Sequence, residues 1–189
     1  IGWSSEDDAA EQSRQLDSWM TIQRSHAISN GLPLICANRN GHEPDPSGNS
    51  SGIGLALTHE YIERGFEVYG VSRRGCPLQD DALHDVQCDL ADFESVPHTL
   101  QSLLGNTPSL NLVILNAGVL GDICELHATQ MADIRRVMDI NLWANKAVMD
   151  WLHGSGIGIR QVVFMSTGAA VNGNKGWSGY ALSKAALNM

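Results

Sequence analysis

The fold is first indicated by the stretch Gly48-Asn49-Ser50-Ser51-Gly52-Ile53-Gly54, which opens directly into a helical pattern. The glycines allow a tight turn and a close approach of the backbone to a pyrophosphate, and the helix N-terminus that follows offers oriented N–H donors. Ser50 and Ser51 add hydroxyl donors. By itself, this stretch is interpreted equally well as a cofactor-binding turn or as a plain Gly/Ser-rich turn.

Downstream of this turn, helical and strand patterns alternate along the chain. Helices are predicted at Ile53–Arg64, Phe93–Leu104, Met131–His153 and from near Gly176, and strands at Glu67–Ser72, Asp85–Cys88, Asn111–Leu115 and Gln161–Met165. This order is typical of parallel β-α-β units, whose apolar strands are buried between helical layers. The predicted fold class is α/β, with a doubly wound parallel sheet.

The residues before the glycine turn fit this pattern poorly. One helix is predicted over residues 4–30 and a short strand at Leu32–Ala37, followed by a polar loop that contains Pro44 and Pro46. A phosphate-binding turn directly follows a buried strand, and prolines are excluded from central strands. Leu32–Ala37 is a candidate substitute, but the loop after it is too long for a tight strand–turn–helix unit. We therefore expect the first strand to be missing.

Cofactor preference is indicated by Ser72 and Arg73 at the end of the second predicted strand. A dinucleotide fold that prefers NAD places an acid there for the ribose hydroxyls, whereas a guanidinium pairs with a 2′-phosphate. The sequence therefore favours NADP, with NAD possible. The alternative is that Arg73 and Arg74 are solvated arginines at a strand end.

An acid–base pair is suggested by Tyr180-Ala181-Leu182-Ser183-Lys184. Tyr180 and Lys184 are four residues apart, so both side chains lie on one face of a helix. A tyrosine has a pKa of about 10, and a nearby ammonium lowers it enough for general acid–base work. Upstream, Ser166 and Thr167 end a strand, where a hydroxyl can hold a carbonyl oxygen. For the Tyr/Lys pair alone, an ordinary surface helix is the simpler interpretation.

Four motifs in this order make the chain from Gly48 onward resemble the short-chain dehydrogenase/reductase family, which has a Rossmann-type sheet. They are the glycine turn, Asn116-Ala117-Gly118 after the fourth strand, Asn141 in the long helix, and the Tyr180–Lys184 pattern. Each motif alone is weak, but their ordered coincidence is specific. The resemblance covers about three quarters of the chain.

The resemblance assigns a role to each matching residue. Tyr180 would protonate the carbonyl oxygen in reduction, Lys184 would lower the pKa of Tyr180 and hold the nicotinamide ribose, and Asn141 would support a water-mediated proton relay. Asp89 and Leu90 would flank the adenine. The remaining cofactor-lining positions would be Asn116, Ala117 and Gly118. The implied substrate is a small carbonyl/alcohol pair, and an intact family member is expected to be a homo-oligomer.

The chain departs from the family's pattern at several places. The family's catalytic serine precedes its tyrosine by thirteen positions, which is Thr167 here, so Thr167 is preferred and Ser166 is kept as the alternative. A threonine hydroxyl makes the same hydrogen bond. The first strand and the portion after the tyrosine helix are expected to be missing. We therefore expect the chain to be an inactive fragment.

Residues 1–46 resemble a different family. The segments Ile1-Gly2-Trp3, Asp17-Ser18-Trp19, 23–33 and 38–43 are similar to carbon–nitrogen hydrolases, nearest to the N-carbamoylputrescine amidase branch. That family uses a Glu-Lys-Cys triad, and Cys36 matches no nucleophile motif. The predicted organisation is an amidase-like fragment at 1–46 joined to an NAD(P)-binding domain at 47–189. The hypothesis is a chimeric sequence that joins two unrelated genes.

Composition excludes several classes of function. With 12 Lys and Arg against 21 Asp and Glu, the formal net charge of -9 argues against a nucleic-acid partner. Apolar runs are too short to span a membrane. The four cysteines lack C-x-x-C spacing, and the scattered histidines predict no metal site. A reduced, cytoplasmic enzyme is expected. The competing functions are an amidase remnant and a non-catalytic NADP-binding fold.

Overall fold

The computed structural model describes the strand at residues 34–37, residues 52–172 and residues 174–189. Its strands are β1 (Leu34–Ala37), β2 (Val68–Ser72), β3 (Leu83–Gln87), β4 (Ser109–Leu115) and β5 (Gly158–Phe164). Its α-helices are α1 (Ile53–Glu63), α2 (Ser95–Leu104), α3 (Met131–Met138), α4 (Ala144–Gly154) and α5 (Ser178–Leu187). The helix predicted over residues 4–30 and most of the amidase-like segment lie outside the described residues.

The described strands form one parallel sheet in the order β3-β2-β1-β4-β5. The chain runs outward from β1 through β2 to β3, and then returns to the other side of β1 for β4 and β5. This reversal creates a crevice at the carboxyl ends of the strands, which is the usual ligand position in open α/β sheets. The Rossmann-type α/β prediction is confirmed by this topology.

The expectation of a missing first strand is wrong. Leu34–Ala37 lies in the middle of the sheet and pairs with β2 on one side and β4 on the other, with Leu34 opposite Val68 and Leu112. The polar stretch 38–51 is too long for a tight strand–turn–helix unit, but the position of a strand is set by the strands that pair with it and not by the length of the loop that follows. The short apolar run 34–37 is long enough to pair with both.

Alternation along β4 explains how the sheet holds helices on both faces. Val113 and Leu115 belong to a core cluster that includes residues of α2 and α4, whereas Leu112 and Ile114 pack in a second cluster with Leu57 and Tyr61 of α1. Successive side chains of a strand point to opposite faces, so a strand covered on both faces is apolar throughout.

The long helix predicted at Met131–His153 is interrupted at a position that matters for the site. Its ends agree with the prediction, but Asp139–Trp143 forms a π-helical turn between α3 and α4. Such turns insert a residue into an α-helix and recur at functional sites. Asn141 lies in this turn and is completely buried.

Candidate active site

An open cleft lies at the carboxyl ends of the strands and is lined in part by predicted cofactor residues. Its walls come from the ends of β2, β3 and β4 and from the π-helical turn. The lining residues are Ser72, Arg73, Cys88, Asp89, Leu90, Ala117, Gly118, Val119 and Ile140. Six residues predicted from three separate motifs therefore line one cleft.

The first helix begins at the same edge of the sheet. Because α1 leads into β2, its N-terminus lies at the carboxyl edge, and its N-cap is Gly52, without a side-chain capping hydrogen bond. The first turn of a helix has N–H groups with no partner inside the helix, which favours an anion there. Ile53 and Gly54 open this helix, whereas Gly48, Ser50 and Ser51 lie outside the described residues.

Asn116, Ala117 and Gly118 follow β4 and are buried or nearly so. The Nδ2 atom of Asn116 has no hydrogen-bond partner among the residues that the structure describes. A buried donor without an acceptor is unfavourable by about 1–3 kcal/mol, so this amide is a donor that a bound group can satisfy. A Cβ added at Gly118 would lie 3.4 Å from Asn141 Oδ1 and 3.6 Å from Lys184 Nζ.

Asn141 ties the loop after β4 to the tyrosine helix. Its Oδ1 accepts a hydrogen bond from the backbone N–H of Val119 at 2.7 Å, and its Nδ2 donates to the Val119 carbonyl at 2.9 Å. The same Nδ2 donates to Ser183 Oγ at 2.8 Å, which in turn donates to the Tyr180 carbonyl at 2.8 Å. The predicted sites missed Ser183, although its position inside the Tyr180–Lys184 pattern is a signal for it.

Lys184 is buried and directed at the end of β5. Its Nζ donates to the carbonyl oxygen of Met165 at 2.6 Å and lies 5.9 Å from the centre of the Tyr180 ring. Four-residue spacing on α5 explains this proximity. The structure therefore brings the predicted Tyr/Lys pair together on one helical face, with Lys184 near Gly118 and Asn141.

The two candidate hydroxyls differ in their surroundings. Thr167 is the N-cap of the short 3-10 turn Gly168–Ala170, and its Oγ1 accepts from the Ala169 N–H at 3.4 Å. Ser166 is exposed and donates to Asn188 Oδ1 at 2.6 Å. The hydroxyl proton of Ser166 is thus already committed to α5's C-cap residue, whereas Thr167 uses its oxygen as an acceptor.

An aromatic side chain lies beside Tyr180. The Trp177 ring meets the Tyr180 ring edge to face, with centroids 5.8 Å apart. The segment before Trp177 is held against the loop after β4, since Cys124 N–H donates to the Gly176 carbonyl at 3.0 Å. Ile123, whose Cγ2 would lie 3.2 Å from a Cβ at Gly176, is exposed by 64%. The Trp177 ring is therefore the aromatic group that the structure shows in contact with Tyr180.

The carboxylate of Asp133 holds the loop after β4 through a hydrogen bond. Asp133 Oδ2 accepts from the backbone N–H of Asp122 at 2.9 Å, and this hydrogen bond, with a smaller contribution from Arg136, holds the pKa of Asp133 below its usual value.

Within the described ranges, no cluster of three His, Cys, Asp or Glu side chains is placed to hold a metal ion. The described helices include none with the length and apolarity needed to cross a membrane.

Comparison with known proteins gives a consistent result. Residues 47–189 match the short chain dehydrogenase family. The chain is 31% identical over 150 residues to a benzil reductase ((S)-benzoin forming) of Bacillus subtilis, covering 76% of this chain and 62% of that protein. A benzil reductase ((S)-benzoin forming) of Saccharomyces cerevisiae is 31% identical over 159 residues, covering 75% and 60%. The chain thus spans less than two thirds of the length of these relatives.

Solved structures agree on the fold. A short-chain dehydrogenase/reductase from Burkholderia vietnamiensis is 27% identical, with a TM-score of 0.68 over 84% of this chain and 76% of that chain. The KRED1-Pglu enzyme has the same TM-score of 0.68 at 22% identity, covering 84% of this chain and 65% of its own, and this likeness concerns the fold alone.

Proposed function

Because the chain belongs to the short-chain dehydrogenase/reductase family, we propose that it carries the cofactor cleft and reaction centre of an NADP-preferring carbonyl reductase. Family membership implies an NAD(P)-dependent oxidoreductase acting on a small molecule. The observation that carries the proposal is the position of Gly118, which lines the cleft and also adjoins Asn141 and Lys184. One glycine thus joins the predicted cofactor residues to the predicted acid–base residues.

The residues present fit a nicotinamide cofactor. The unpartnered Asn116 amide and the glycine at 118 leave a donor and space where the cleft adjoins the reaction centre. Arg73 would pair with a 2′-phosphate, and Asp89 and Leu90 would flank the adenine. The N-terminus of α1, with Gly48, Ser50, Ser51, Gly52, Ile53 and Gly54, would hold the pyrophosphate. When bound, the cofactor supplies or accepts the hydride.

The protein's own part is to hold the carbonyl and move one proton. Tyr180 donates its phenolic proton to the carbonyl oxygen during reduction, and the ammonium of Lys184 stabilises the phenolate that remains. Thr167 donates a hydrogen bond to the carbonyl oxygen, and it is a better candidate than Ser166 because its hydroxyl proton has no acceptor among the described residues. Asn141 keeps one lone pair of Oδ1 for a water of the proton relay, since its Nδ2 protons are used.

We further propose an aromatic ketone or diketone as the substrate of the whole protein. Two relatives are benzil reductases, and benzil carries two phenyl rings on adjacent carbonyls. The edge-to-face Trp177–Tyr180 pair supplies aromatic surface beside the proton donor, and the exposed Ile123 adds apolar surface at Gly176, next to Trp177. An aromatic ring attached to the carbonyl would pack there.

The experiment is a titration of the chain with NADPH, followed by turnover of benzil in the intact protein. Tight NADPH binding and loss of nicotinamide absorbance on adding benzil support the proposal. Binding without turnover of any carbonyl compound would instead favour the non-catalytic NADP-binding fold. Release of ammonia from amides, with no change in nicotinamide absorbance, would favour the amidase alternative.

A further inference from the structure

The turn after β2 is fastened to the edge strand β3 by two side chains. Asp85 Oδ2 accepts a hydrogen bond from the backbone N–H of Cys76 at 2.8 Å. Gln87 Nε2 donates to the carbonyl oxygen of Arg74 at 3.1 Å. Asp85 and Gln87 are two residues apart, so their side chains lie on the same face of β3. Both ends of the Arg74–Cys76 turn are therefore held from one strand.

The turn lies close against these side chains. Gly75 has a φ of 77°, a conformation that favours glycine. A Cβ at this position would lie 3.2 Å from Asp85 Oδ2 and 3.2 Å from Gln87 Nε2. Burial also raises the pKa of the Cys76 thiol, with a further contribution from the Asp85 carboxylate. The backbone just after Arg73 is thus fixed by specific contacts.

Arg73 is the residue that this arrangement presents to the cleft. Ser72 and Arg73 both line the cleft, whereas Asp85 and Gln87 do not. Binding a phosphate orders both the side chain of an arginine and the turn that carries it, and a turn fixed beforehand removes its share of that entropic cost. Fixing the turn therefore favours a cofactor that carries a phosphate at Arg73, but it does nothing for one that lacks it.

We propose that Gln87 and Asp85 are positioning residues for cofactor selectivity, because they hold the turn that presents Arg73 to the 2′-phosphate of NADP. The inference rests on the proposed NADP preference and goes beyond it, since it assigns part of that preference to two edge-strand residues outside the cleft.

The test compares the binding of NADPH and of NADH to the chain, followed by nicotinamide fluorescence. Gln87→Met removes the hydrogen bond to Arg74 with little change in volume. We expect it to weaken NADPH about three- to tenfold, as for one lost hydrogen bond, and to leave NADH unchanged. Gln101→Met on α2 is the matched control, and it should change neither affinity.

A second pair of variants separates the hydrogen bond of Asp85 from its charge. Asp85→Asn keeps an oxygen acceptor for Cys76 and removes the negative charge, whereas Asp85→Ala removes both. We expect the ratio of NADPH to NADH affinity to fall in Asp85→Ala and to be kept or raised in Asp85→Asn. This pair reports on the proposal even if Gln87→Met does not fold.

Three results would overturn the inference. Equal weakening of NADPH and NADH in Gln87→Met would show a purely structural role. A rise in NADPH affinity in both Asp85 variants would show that only the charge matters. A wild-type chain without preference for NADPH would refute the proposed NADP selectivity itself, and the inference would fail with it. Either of the first two results, in a wild-type chain that prefers NADPH, would overturn the inference alone.

Discussion

Asn141 and Ser183 are hydrogen-bonded side chain to side chain at 2.8 Å, although they are 42 positions apart in the chain. Both are completely buried. The bond connects the π-helical turn to α5 at Ser183, between the proposed proton donor Tyr180 and Lys184. Through Ser183, the carbonyl of Tyr180 is linked to Asn141, and through Asn141 to the backbone of Val119 in the cleft wall.

Removing the Ser183 hydroxyl should destabilise the protein. Ser183→Ala leaves a buried N–H of Asn141 without an acceptor, so we expect the free energy of unfolding to fall by about 1–3 kcal/mol. Urea unfolding measures it, with Ser102→Ala on the exposed part of α2 as the control. An unfolding free energy equal to that of the control variant would mean that the bond contributes nothing.

Tyr180→Phe tests the proton donor in the intact protein. The variant keeps the ring that meets Trp177 but has no phenolic proton, so we expect carbonyl turnover to fall about a hundredfold or more while NADPH affinity is kept. Tyr69→Phe is the matched control, because the Tyr69 hydroxyl donates a hydrogen bond to Glu67 at the surface. Turnover retained in Tyr180→Phe would remove this residue from the mechanism.

Arg73→Asp tests the cofactor preference. The change removes a cation and adds an anion at the cleft wall, so we expect NADPH affinity to fall roughly ten- to a hundredfold, with NADH affinity unchanged or improved. Binding is measured by fluorescence titration. Arg160→Asp, an exposed position on β5, controls for net charge. An unchanged NADPH-to-NADH ratio would contradict the role of Arg73.

Gly118→Ala tests whether the cofactor approaches Gly118, because the change should affect NADPH binding and not the stability of the fold. The new methyl would meet Asn141 and Lys184 at ordinary contact distances, so we expect the melting temperature to be retained. The methyl also projects toward the reaction centre beside the cleft, and we expect NADPH to bind roughly tenfold more weakly. Undiminished NADPH affinity would show that the cofactor does not approach this glycine.

Asp133 makes the free energy of unfolding depend on pH. Its pKa is lowered in the folded state, so its carboxylate stabilises the fold fully above the unfolded value of about 3.9, and this contribution is lost as pH falls through the lower folded value. Asp133→Asn should therefore be less stable than wild type at neutral pH and equally stable in stronger acid. Denaturation at several pH values measures this, with exposed Asp150→Asn as the control. A pH-independent difference would rule out the carboxylate charge as its cause.

Many of the strands and helices could be predicted from the sequence, because the patterns that indicate them involve only neighbouring residues. The period of two in β4 and the helical spacing of Tyr180 and Lys184 depend only on neighbouring residues. Parallel strands end at one edge of a sheet, and the family resemblance assigns residues after β2, β3 and β4 to one cofactor. Ser72, Asp89 and Gly118 line one cleft at that edge.

The sequence by itself therefore determined the fold class, the family and the residues that gather at the carboxyl edge. Tertiary structure alone decided that Leu34–Ala37 lies in the middle of the sheet, because pairing with β2 and β4 depends on partners far away in the chain. It also decided that Asn141 holds Val119 and Ser183, and that Gln87 holds the turn beside Arg73. These contacts depend on strand register and helix packing, which local periodicity does not contain.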